Sequence, residues 1–555
     1  MSETRTTSGP TTSTSNAAGS PGIPDGQHDS AWAPLRIRVF RVMWIAALVS
    51  NVGSWMHLVA AGWLMTTLTA SAALVALLQS ANALPSFLLA LPGGAMADVY
   101  DRRRLILVTQ GCQLLVAAVI GVMTVTGTVT PWALLGLTVL LGAGFTLGLP
   151  AYAAITPDLV PARQLPAAIS LNSVTITASL AVGPALGGVL VAWVGPGPVF
   201  LLNAVSFVAV LIAISAWRQP GQVSTLPPEH VLSATRTGLR YVINAPEFVA
   251  VLVRTLAYIT AFSATPALLA VVTRELGGSA ADYGLLLGCA GLGGVISAFV
   301  LPRIRQLISA DAITLAATAG YTCTLLAVGT APNVALVIPF MLTGGFVQQT
   351  MLSSLNIAAQ QVLPAWVRGR GLAVFMLTFQ LGIAGGAAIW GAVASDVGLS
   401  RTFVAAAVLM AATAALAPVF RLNSADHIDA RQVAFHPEQY NPVEVQPDDG
   451  PVLITTEYAV PEQLLGTFVN AAHRLRQMRR REGALSWALF EDVERRGTHI
   501  ENYLMTSWSE HRRQAERRTS NDQQVLDEIT NCHDDDGTPP RTRYLLGHHF
   551  RRHHQ

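Results

Sequence analysis

Long apolar runs alternate with short polar breaks over most of the chain. Because about 20 apolar residues cross a bilayer as a helix, this pattern predicts twelve membrane-spanning helices. The runs fall at 42–66, 72–96, 105–127, 132–154, 166–192, 198–217, 248–272, 281–301, 311–330, 333–358, 370–394 and 402–421. A longer polar linker at 218–247 separates the sixth run from the seventh. The pattern therefore predicts an all-α membrane domain with two six-helix bundles, 36–217 and 248–422.

Polar segments flank the apolar part at both ends. Residues 1–35 open with a Ser-, Thr-, Gly- and Pro-rich stretch that we expect to be disordered. Residues 423–450 contain prolines among acids and are predicted to be a linker. The domain at 451–555 has strands and helices predicted in the order β-α-β-β-α-β, which is typical of a ferredoxin-like α+β fold. Six residues of its first helix are predicted to face inward: Leu464, Leu465, Phe468, Val469, Ala472 and Leu475.

Composition and charge agree with a membrane protein that has soluble tails. Of the 555 residues, 51% are hydrophobic and 12% are charged, about half the charge that soluble domains carry. The chain has no lysine, and its loop arginines lie mostly on the side shared with the N-terminus. The opposite loops contain only Arg274 and Arg401, so both termini are predicted to be cytoplasmic.

The two sets of six runs show an internal repeat. Leu159-Val160-Pro161-Ala162 aligns with Val362-Leu363-Pro364-Ala365 at an offset of 203 residues. At the same offset, Gly183 aligns with Gly386 and Gly188 aligns with Gly391. This favours two parallel repeats, a common architecture of transporters, over chance matches between Gly- and Ala-rich helices.

The loop between the second and third runs combines one glycine, one acid and two arginines at regular spacing: Gly94, Asp98, Arg102 and Arg103. Such a charged turn cannot lie in hydrocarbon. The spacing resembles the loop between helices 2 and 3 of the major facilitator superfamily. The resemblance implies that Gly94 allows close helix approach and that the charged residues form a conformational latch. Val99 and Asp101 depart from the family pattern, and a simple topology anchor is the alternative interpretation.

Two runs contain polar residues that are costly in a membrane. Asn51, Trp55 and His57 interrupt the first run, and Arg254 lies a few residues inside the seventh. His57 can change charge near neutral pH, so it is a candidate proton or substrate site, with a packing role as the alternative. Arg254 either faces a central cavity or extends its side chain to the membrane surface.

Several segments resemble one branch of the major facilitators, the enterobactin-exporter-like or transmembrane secretion effector branch. The segments are Asn51–His57, Leu84–Gly94, Gly183–Gly188 and Ser507–His511. The resemblance implies a bacterial plasma (inner) membrane protein. It also implies that Gly183, Pro184, Gly187 and Gly188 correspond to a helix-5 antiporter motif, although the upstream glycines of that motif are absent here.

The domain at 451–555 resembles antibiotic-biosynthesis-monooxygenase-like domains, whose members often pair strands across a dimer. The resemblance therefore implies a homodimer through this domain. Related tails often have a histidine where Ala515 stands, and its absence favours binding or regulation over catalysis. No metal-binding spacing is present, and we expect the terminal histidines to be solvated: His548, His549, His553 and His554.

Together these features predict a secondary transporter that exports a drug, siderophore or secondary metabolite by alternating access. Protons are the expected coupling ion, although no Asp or Glu lies well inside a predicted span. We expect the lipid bilayer and a small-molecule substrate as partners, and no cofactor, metal, nucleic acid or catalytic residue. The alternatives are an importer, a membrane-tethered monooxygenase-like enzyme and a ligand sensor that signals through its tail.

Overall fold

The computed structural model describes residues 32–217, 245–364, 367–415, 445–446, 449–516, 520–534 and 538–547. Most of the predicted N-terminal stretch, most of both linkers, Ala365 and the terminal histidines lie outside these residues. The helices of the membrane domain are α1 (Arg38–Leu68), α2 (Ala72–Val99), α3 (Arg102–Val125), α4 (Pro131–Leu159), α5 (Leu165–Val194), α6 (Pro196–Ala216), α7 (Pro246–Phe262), α8 (Ala264–Glu275), α9 (Ala280–Leu307), α10 (Ala310–Thr330), α11 (Val334–Val362), α12 (Arg368–Val397) and α13 (Leu399–Ala414).

In the described part of the chain, eleven helical stretches are long and apolar enough to cross a membrane, with α7 and α8 forming one of them. α13 is apolar but has only 16 residues. Six of the helices begin at a side chain that accepts a hydrogen bond from the backbone of the first turn, which satisfies an otherwise free N–H group. These capping residues are Ser71, Asp101, Thr130, Ser279, Ser309 and Asn333.

Consecutive spans run in opposite directions, with α7 and α8 counted as one span, so their turns fall at two faces of the membrane domain. One face has the α2–α3, α4–α5 and α9–α10 turns and carries Arg102, Arg103, Arg104, Arg163, Arg303 and Arg305. We call it the arginine-rich face. The opposite face has the α1–α2, α5–α6 and α8–α9 turns, and we call it the arginine-poor face.

The helices pack as two sets, α1–α6 and α7–α13. Within the first set, α1 packs against α5 and α6, α2 against α4, and α3 against α4 and α6. Within the second set, α7 packs against α12 and α13, α9 against α11, and α10 against α11 and α13. The main contacts between the sets join α2 to α12 and α5 to α9.

Glycines allow the two sets to touch backbone to backbone. A Cβ atom on Gly188 of α5 would lie 2.6 Å from the Ala280 carbonyl oxygen and 2.7 Å from the Gly284 Cα of α9. At the α2–α12 contact, a Cβ atom on Gly391 would lie 3.1 Å from the Ala73 Cα. These contacts extend from the middle of the domain to the arginine-poor face, where small residues let helices approach closely.

The seventh span is interrupted between α7 and α8. Pro266 has no N–H group to bond to the carbonyl of Phe262, so the helical hydrogen-bond ladder is incomplete there. The Trp390 Nε1 of α12 donates a hydrogen bond to the Thr260 carbonyl at 2.7 Å, and the Ser263 hydroxyl donates to the same carbonyl at 2.7 Å. The break is therefore held by a side chain of the neighbouring helix.

The tail contains an antiparallel four-stranded sheet and three helices. The strands are β1 (Val452–Ala459), β2 (Ser486–Glu491), β3 (Thr498–Met505) and β4 (Arg541–Leu546), and the sheet order is β2-β3-β1-β4. The helices are α14 (Leu465–Arg481), α15 (Trp508–Glu516) and α16 (Ser520–Thr530). α15 and α16 both lie where the sequence predicted the second helix, and residues 517–519 between them lie outside the described residues.

The inward face of α14 was only partly predicted. Phe468, Ala472 and Leu475 are buried, as expected, but Leu464, Leu465 and Val469 are exposed, so that part of the prediction was wrong. The buried side instead continues to Met478 and Arg479, because packing on the sheet selects a narrower stripe than the apolar pattern suggests.

Charged residues lie inside the tail between the sheet and the helices. The Arg479 Nε donates to the Glu501 Oε1 at 3.0 Å, and the Trp487 Nε1 donates to the same oxygen at 3.0 Å. The Gln514 amide donates to the Glu482 Oε2 at 2.8 Å. Burial, reinforced by the nearby Asp522 carboxylate, raises the pKa of Glu482 from 4.5 to about 7.

We predict that filling the α5–α9 contact destabilises the membrane domain. Gly188→Val places side-chain atoms where the α9 backbone lies, and overpacking of this kind costs about 1–3 kcal/mol. Gly136→Val is the matched control, because no atom lies within 4 Å of its Cβ position. The thermal midpoint of the purified protein should fall for Gly188→Val and stay near wild type for Gly136→Val. Equal midpoints would contradict the prediction.

We also predict that the tail loses stability as the pH rises. The pKa of Glu482 is near 7 in the folded tail, above its ordinary value of 4.5, so the folded state favours the protonated carboxyl group. The resulting contribution to the free energy of unfolding is complete below pH 4.5 and is lost as the pH passes 7. Labelling of buried Cys532 during urea unfolding reports on the tail, once Cys112, Cys289 and Cys323 are replaced by Ser. The urea concentration at the midpoint of unfolding should decrease as the pH is raised from 5 to 8. This decrease should be smaller in Glu482→Gln. It should be unchanged in Glu494→Gln, which alters an exposed carboxylate in a turn. An unchanged slope in Glu482→Gln would show that another group is responsible.

Candidate functional site

The arginines of the α2–α3 turn bind the ends of neighbouring helices in their own set. The Arg102 Nη1 donates to the Ala154 carbonyl at 3.2 Å and lies 3.7 Å from the Asp158 carboxylate, both at the end of α4. Arg103 donates to the carbonyls of Ile214 at 3.2 Å and Ser215 at 2.6 Å, at the end of α6. A cation that donates hydrogen bonds to the last carbonyls of a helix also interacts favourably with the negative end of the helix dipole. The two arginines therefore join the start of α3 to α4 and α6.

The glycine and the acid of this turn lie on α2. No atom lies within 4 Å of a Cβ position on Gly94, whereas a Cβ on Gly93 would lie 3.3 Å from the Thr146 carbonyl oxygen of α4. The close helix approach expected at Gly94 is thus made by Gly93. Asp98 lies in the last turn of α2. Asp101 caps α3 by accepting a hydrogen bond from the Arg104 N–H at 2.8 Å.

His57 lies at the contact between α1 and α6. Its ring is 4.6 Å from the Phe200 ring, centroid to centroid, and only 3% of the residue is exposed. Neither ring nitrogen has a hydrogen-bond partner among the described residues. One turn away, a Cβ on Gly53 would lie 2.7 Å from the Asn203 Oδ1, so this face of α1 packs tightly on α6.

Asn51 and Trp55 lie on the opposite face of α1. They share a helical stripe with Leu58 and Gly62, at spacings of four, three and four residues. Gly62 contacts the second helix set, where its Cβ position lies 2.8 Å from the Tyr283 hydroxyl of α9. This stripe therefore faces the space between the two sets. The Asn51 Nδ2 donates to the Ala47 carbonyl at 2.8 Å.

The helix-5 residues contact two different helices. A Cβ on Gly183 would lie 2.5 Å from the Trp55 Cβ, and one on Gly187 would lie 2.8 Å from the Met56 Cα, so both glycines face α1. Gly188 and the Pro184 carbonyl instead face Gly284 of α9. The motif therefore fastens α5 to its own set on one side and to the second set on the other.

Arg254 is 5% exposed and points toward α10. Its Nη2 donates to the Thr314 hydroxyl at 3.2 Å, and its Nη1 lies 3.9 Å from the Asp311 carboxylate. The structure thus pairs Arg254 with an acid that the sequence did not single out. The available signal was the position of Asp311 in the first turn of α10, after the Ser309 cap.

A second polar surface lies on α11. Four uncharged polar residues of α11 share one face at spacings of four, three and four, and we call them the polar stripe: Gln349, Ser353, Asn356 and Gln360. Gln349, Ser353 and Asn356 are half-buried, and Gln360 is exposed. The Arg305 Nη2 of α9 lies 3.3 Å from the hydroxyl oxygens of both Ser353 and Ser354. The helical spacing was visible in the sequence, but the partner helix was not.

A small cavity lies near the arginine-rich face between α1, α4 and α5. Its lining is uncharged and rich in aromatic side chains: Phe40, Met43, Trp44, Tyr152, Thr156 and Asn172. The Trp44 Nε1 donates to the Leu171 carbonyl at 3.1 Å, and the Asn172 amide donates to the Thr156 hydroxyl at 3.3 Å. Among the described residues, no group of three or more His, Cys, Asp or Glu side chains is placed to hold a metal ion.

Characterised relatives include transporters of siderophores and drugs. The chain is 25% identical to a staphyloferrin A transporter of Staphylococcus aureus, in an alignment that covers 63% of this chain and 88% of the relative. It is 24% identical to the multidrug efflux pump Tap of Mycolicibacterium fortuitum, in an alignment that covers 65% of this chain and 90% of the relative. It is 26% identical to an enterobactin exporter of Citrobacter koseri, over 51% of this chain and 67% of the relative.

Solved structures share the fold of the membrane domain. A bacterial homolog of the human lysosomal transporter Spinster, in an inward-facing and unoccupied conformation, aligns with a TM-score of 0.57 and 16% identity. The alignment covers 72% of this chain and 99% of that structure. The nucleoside transporter NupG aligns with a TM-score of 0.52 and 11% identity over 69% of this chain and 99% of that structure. The predicted helical transporter fold is therefore confirmed.

The family model for transmembrane secretion effectors matches residues 29–552, which is nearly the whole chain. The match includes the α2–α3 turn, the helix-5 residues and the tail. Together with the named relatives, it confirms a transporter rather than an enzyme. The chain belongs to the transmembrane secretion effector family.

Proposed function

We propose that this protein is a secondary active transporter that exports a small organic molecule across the plasma membrane by alternating access. The supporting observation is the one-sided contact between the two helix sets. Glycines join the sets from the middle of the domain to the arginine-poor face, while the polar stripe extends toward the other face and stays partly exposed. A domain closed at one face and polar-lined toward the other is suited to load a solute on one side and release it on the other.

The two sets are proposed to be repeats, with α13 as the twelfth span. Gly183 contacts α1, and Gly386, which is 203 residues later, contacts α7 at Thr260 and Ser263. Gly188 contacts α9, and its counterpart Gly391 contacts α2. A hydroxyl pair also recurs, with Ser86 and Thr146 3.0 Å apart between α2 and α4, and Ser297 and Thr350 2.9 Å apart between α9 and α11. Glycine contacts at matched positions, and a hydroxyl pair between corresponding helices, support a common architecture.

We propose that the arginine-rich face is cytoplasmic, which places both termini in the cytoplasm. The membrane domain would then be open toward the cytoplasm, the side from which an exporter takes its substrate. The relatives named as siderophore transporters and drug pumps support a siderophore or a drug as the exported molecule. The bacterial relatives support an inner-membrane location.

Protons are the proposed coupling ion. Asn51 and Trp55, on the face of α1 between the two sets, are proposed to line the substrate path.

His57 lies on the other face of α1, against Phe200, and this placement supports a packing role for its imidazole. Arg254 bonds to α10 beside Asp311, which supports an ion pair within the second set.

Transport assays in everted membrane vesicles test the proposal. We predict that a siderophore or drug from a test panel accumulates in vesicles that contain the protein, driven by an acidic interior and abolished by a protonophore. Vesicles without the protein are the control. Accumulation in right-side-out vesicles alone would support the importer alternative. Complete loss of transport in a stable variant that ends before residue 445 would favour a sensor or enzyme role for the tail.

We predict that Asp98→Asn lowers transport at least severalfold without loss of folded protein. Asp98 lies in the last turn of α2, next to the turn whose arginines bond to the ends of α4 and α6. The proposed latch needs the negative charge of Asp98. Asp101→Asn is the matched control, because Asn also caps helices well and Asp101 serves as the cap of α3. Initial rates in vesicles, normalised to protein amount, give the comparison. Wild-type rates in Asp98→Asn would reject the latch.

The tail is proposed to be a ferredoxin-like domain that pairs two copies of the transporter. One face of its sheet packs on the helices, while the other carries apolar side chains that no other described element covers, among them Leu453, Phe490, Ile500 and Leu545. β2 and β4 are the edge strands of this sheet. A second copy would cover both the apolar face and an exposed edge.

We predict that residues 445–555 form a folded dimer in solution. Phe490 is 54% exposed on the open sheet face, so Phe490→Ser should weaken the dimer by removing buried apolar area. Val493→Ser is the control, because Val493 is 94% exposed in the β2–β3 turn. Sedimentation velocity at several concentrations measures the monomer–dimer equilibrium. A monomeric wild-type fragment would count against pairing through the tail.

A further inference from the structure

The polar stripe of α11 needs an aqueous neighbour. The opposite side of this helix is buried by Met351, Leu355 and Ala358 and packs on the second helix set. The stripe itself stays partly exposed over three helical turns, from Gln349 to Gln360. Hydrocarbon cannot satisfy amide groups, so such residues face a water-filled path or a partner. Asn356 and Gln360 also bond to each other, with the Gln360 Nε2 2.6 Å from the Asn356 Oδ1.

Arg305 adds a positive charge beside the stripe. Its guanidinium contacts two hydroxyl oxygens, those of Ser353 and Ser354, and is partly exposed. No ion pair joins Arg305 to a carboxylate within the described ranges. A guanidinium held by hydroxyl groups keeps its charge and several N–H donors for an incoming acceptor.

Arg303 shows that this arrangement is not a general property of the helix end. It lies two residues before Arg305, but its Nη1 reaches only the Phe299 carbonyl of its own helix, at 3.5 Å. Both arginines contribute to the positive charge of the arginine-rich face. Only Arg305 is directed by α11 toward the polar stripe.

The first helix set has no equivalent surface. At the offset of 203 residues, the stripe corresponds to Thr146, Pro150, Ala153 and Pro157 of α4, which offer one hydroxyl group. That set instead provides the uncharged cavity lined by Phe40, Trp44 and Tyr152. Both sets carry an arginine at the equivalent position, because Arg102 precedes Arg305 by the same offset, but Arg102 lies beside the Asp158 carboxylate and only Arg305 has a polar stripe beside it.

We propose that Arg305 and the polar stripe bind an anionic group of the exported molecule, and that the substrate class is an organic anion. The proposal rests on the export function proposed above. Arg305 supplies charge-assisted hydrogen bonds to a carboxylate or phenolate group, and Asn356 and Gln360 supply further amide groups.

The test measures uptake of two fluorescent probes into everted vesicles, with carboxyfluorescein as the organic anion and ethidium as the organic cation. Wild-type vesicles should accumulate carboxyfluorescein in preference to ethidium.

Arg305→Gln should raise the KM for carboxyfluorescein about tenfold, because a charge-assisted hydrogen bond is lost. Arg303→Gln removes the same charge from the same helix end and should stay within about twofold of wild type. Arg305→Lys should be intermediate, since it keeps the charge but loses the planar fork.

The outcomes separate the inference from the proposed function. Equal KM values in Arg305→Gln and Arg303→Gln would overturn the anion-binding site, and Asn356→Leu checks the site independently if Arg305→Gln fails to fold. A wild-type protein that exports only ethidium would overturn the substrate class and leave the export function standing. If neither probe nor any panel compound accumulates, the export function fails and the inference fails with it.

Discussion

Close backbone contact between helices is the constraint on which this structure depends. Lipid tails are as apolar as leucine, so helices in a membrane gain little by burying apolar side chains against one another. The two helix sets instead meet where glycine removes the side chain, as at Gly188 with Gly284 and at Gly391 with Ala73. α5 shows the constraint most clearly, because its glycines face α1 on one side and α9 on the other. A change at Gly183 or Gly187 therefore affects the packing within the first set, whereas a change at Gly188 affects the contact between the sets.

The sequence predicted the membrane domain better than its functional contacts. The lengths of the apolar runs located the helices, because the cost of exposing a backbone to lipid is local to each helix. The partners of Arg254 and Arg305 depend on which helix lies alongside, and no local pattern specifies this. Asp311 and Ser353 are ordinary residues until α7 and α9 bring arginines to them. The close approach at Gly93 in place of Gly94 has the same origin, since neighbouring glycines differ only in the direction they face.

The tail gives a similar lesson for soluble packing. The alternation of β1 and β3 was predictable, because one face of each strand is buried against helices. The exposure of Leu464, Leu465 and Val469 was not, because apolar residues on a helix mark a broader surface than the sheet covers. The buried pair Arg479 and Glu501 was equally hidden in a helix rich in arginine. Buried charges of this kind are recognised only when their partners are known.

The interruption between α7 and α8 has a mechanical consequence. Bending at this point breaks one backbone hydrogen bond fewer than bending elsewhere in the span, because Pro266 has already removed one. α8 is a rod of 12 residues, about 18 Å long, so a tilt of about 10° moves its far end by about 3 Å. Trp390 bonds to Thr260 of α7, on the other side of the break, so this hydrogen bond is kept while α8 tilts. This part of the arginine-poor face can therefore move as a lever while α7 stays in place.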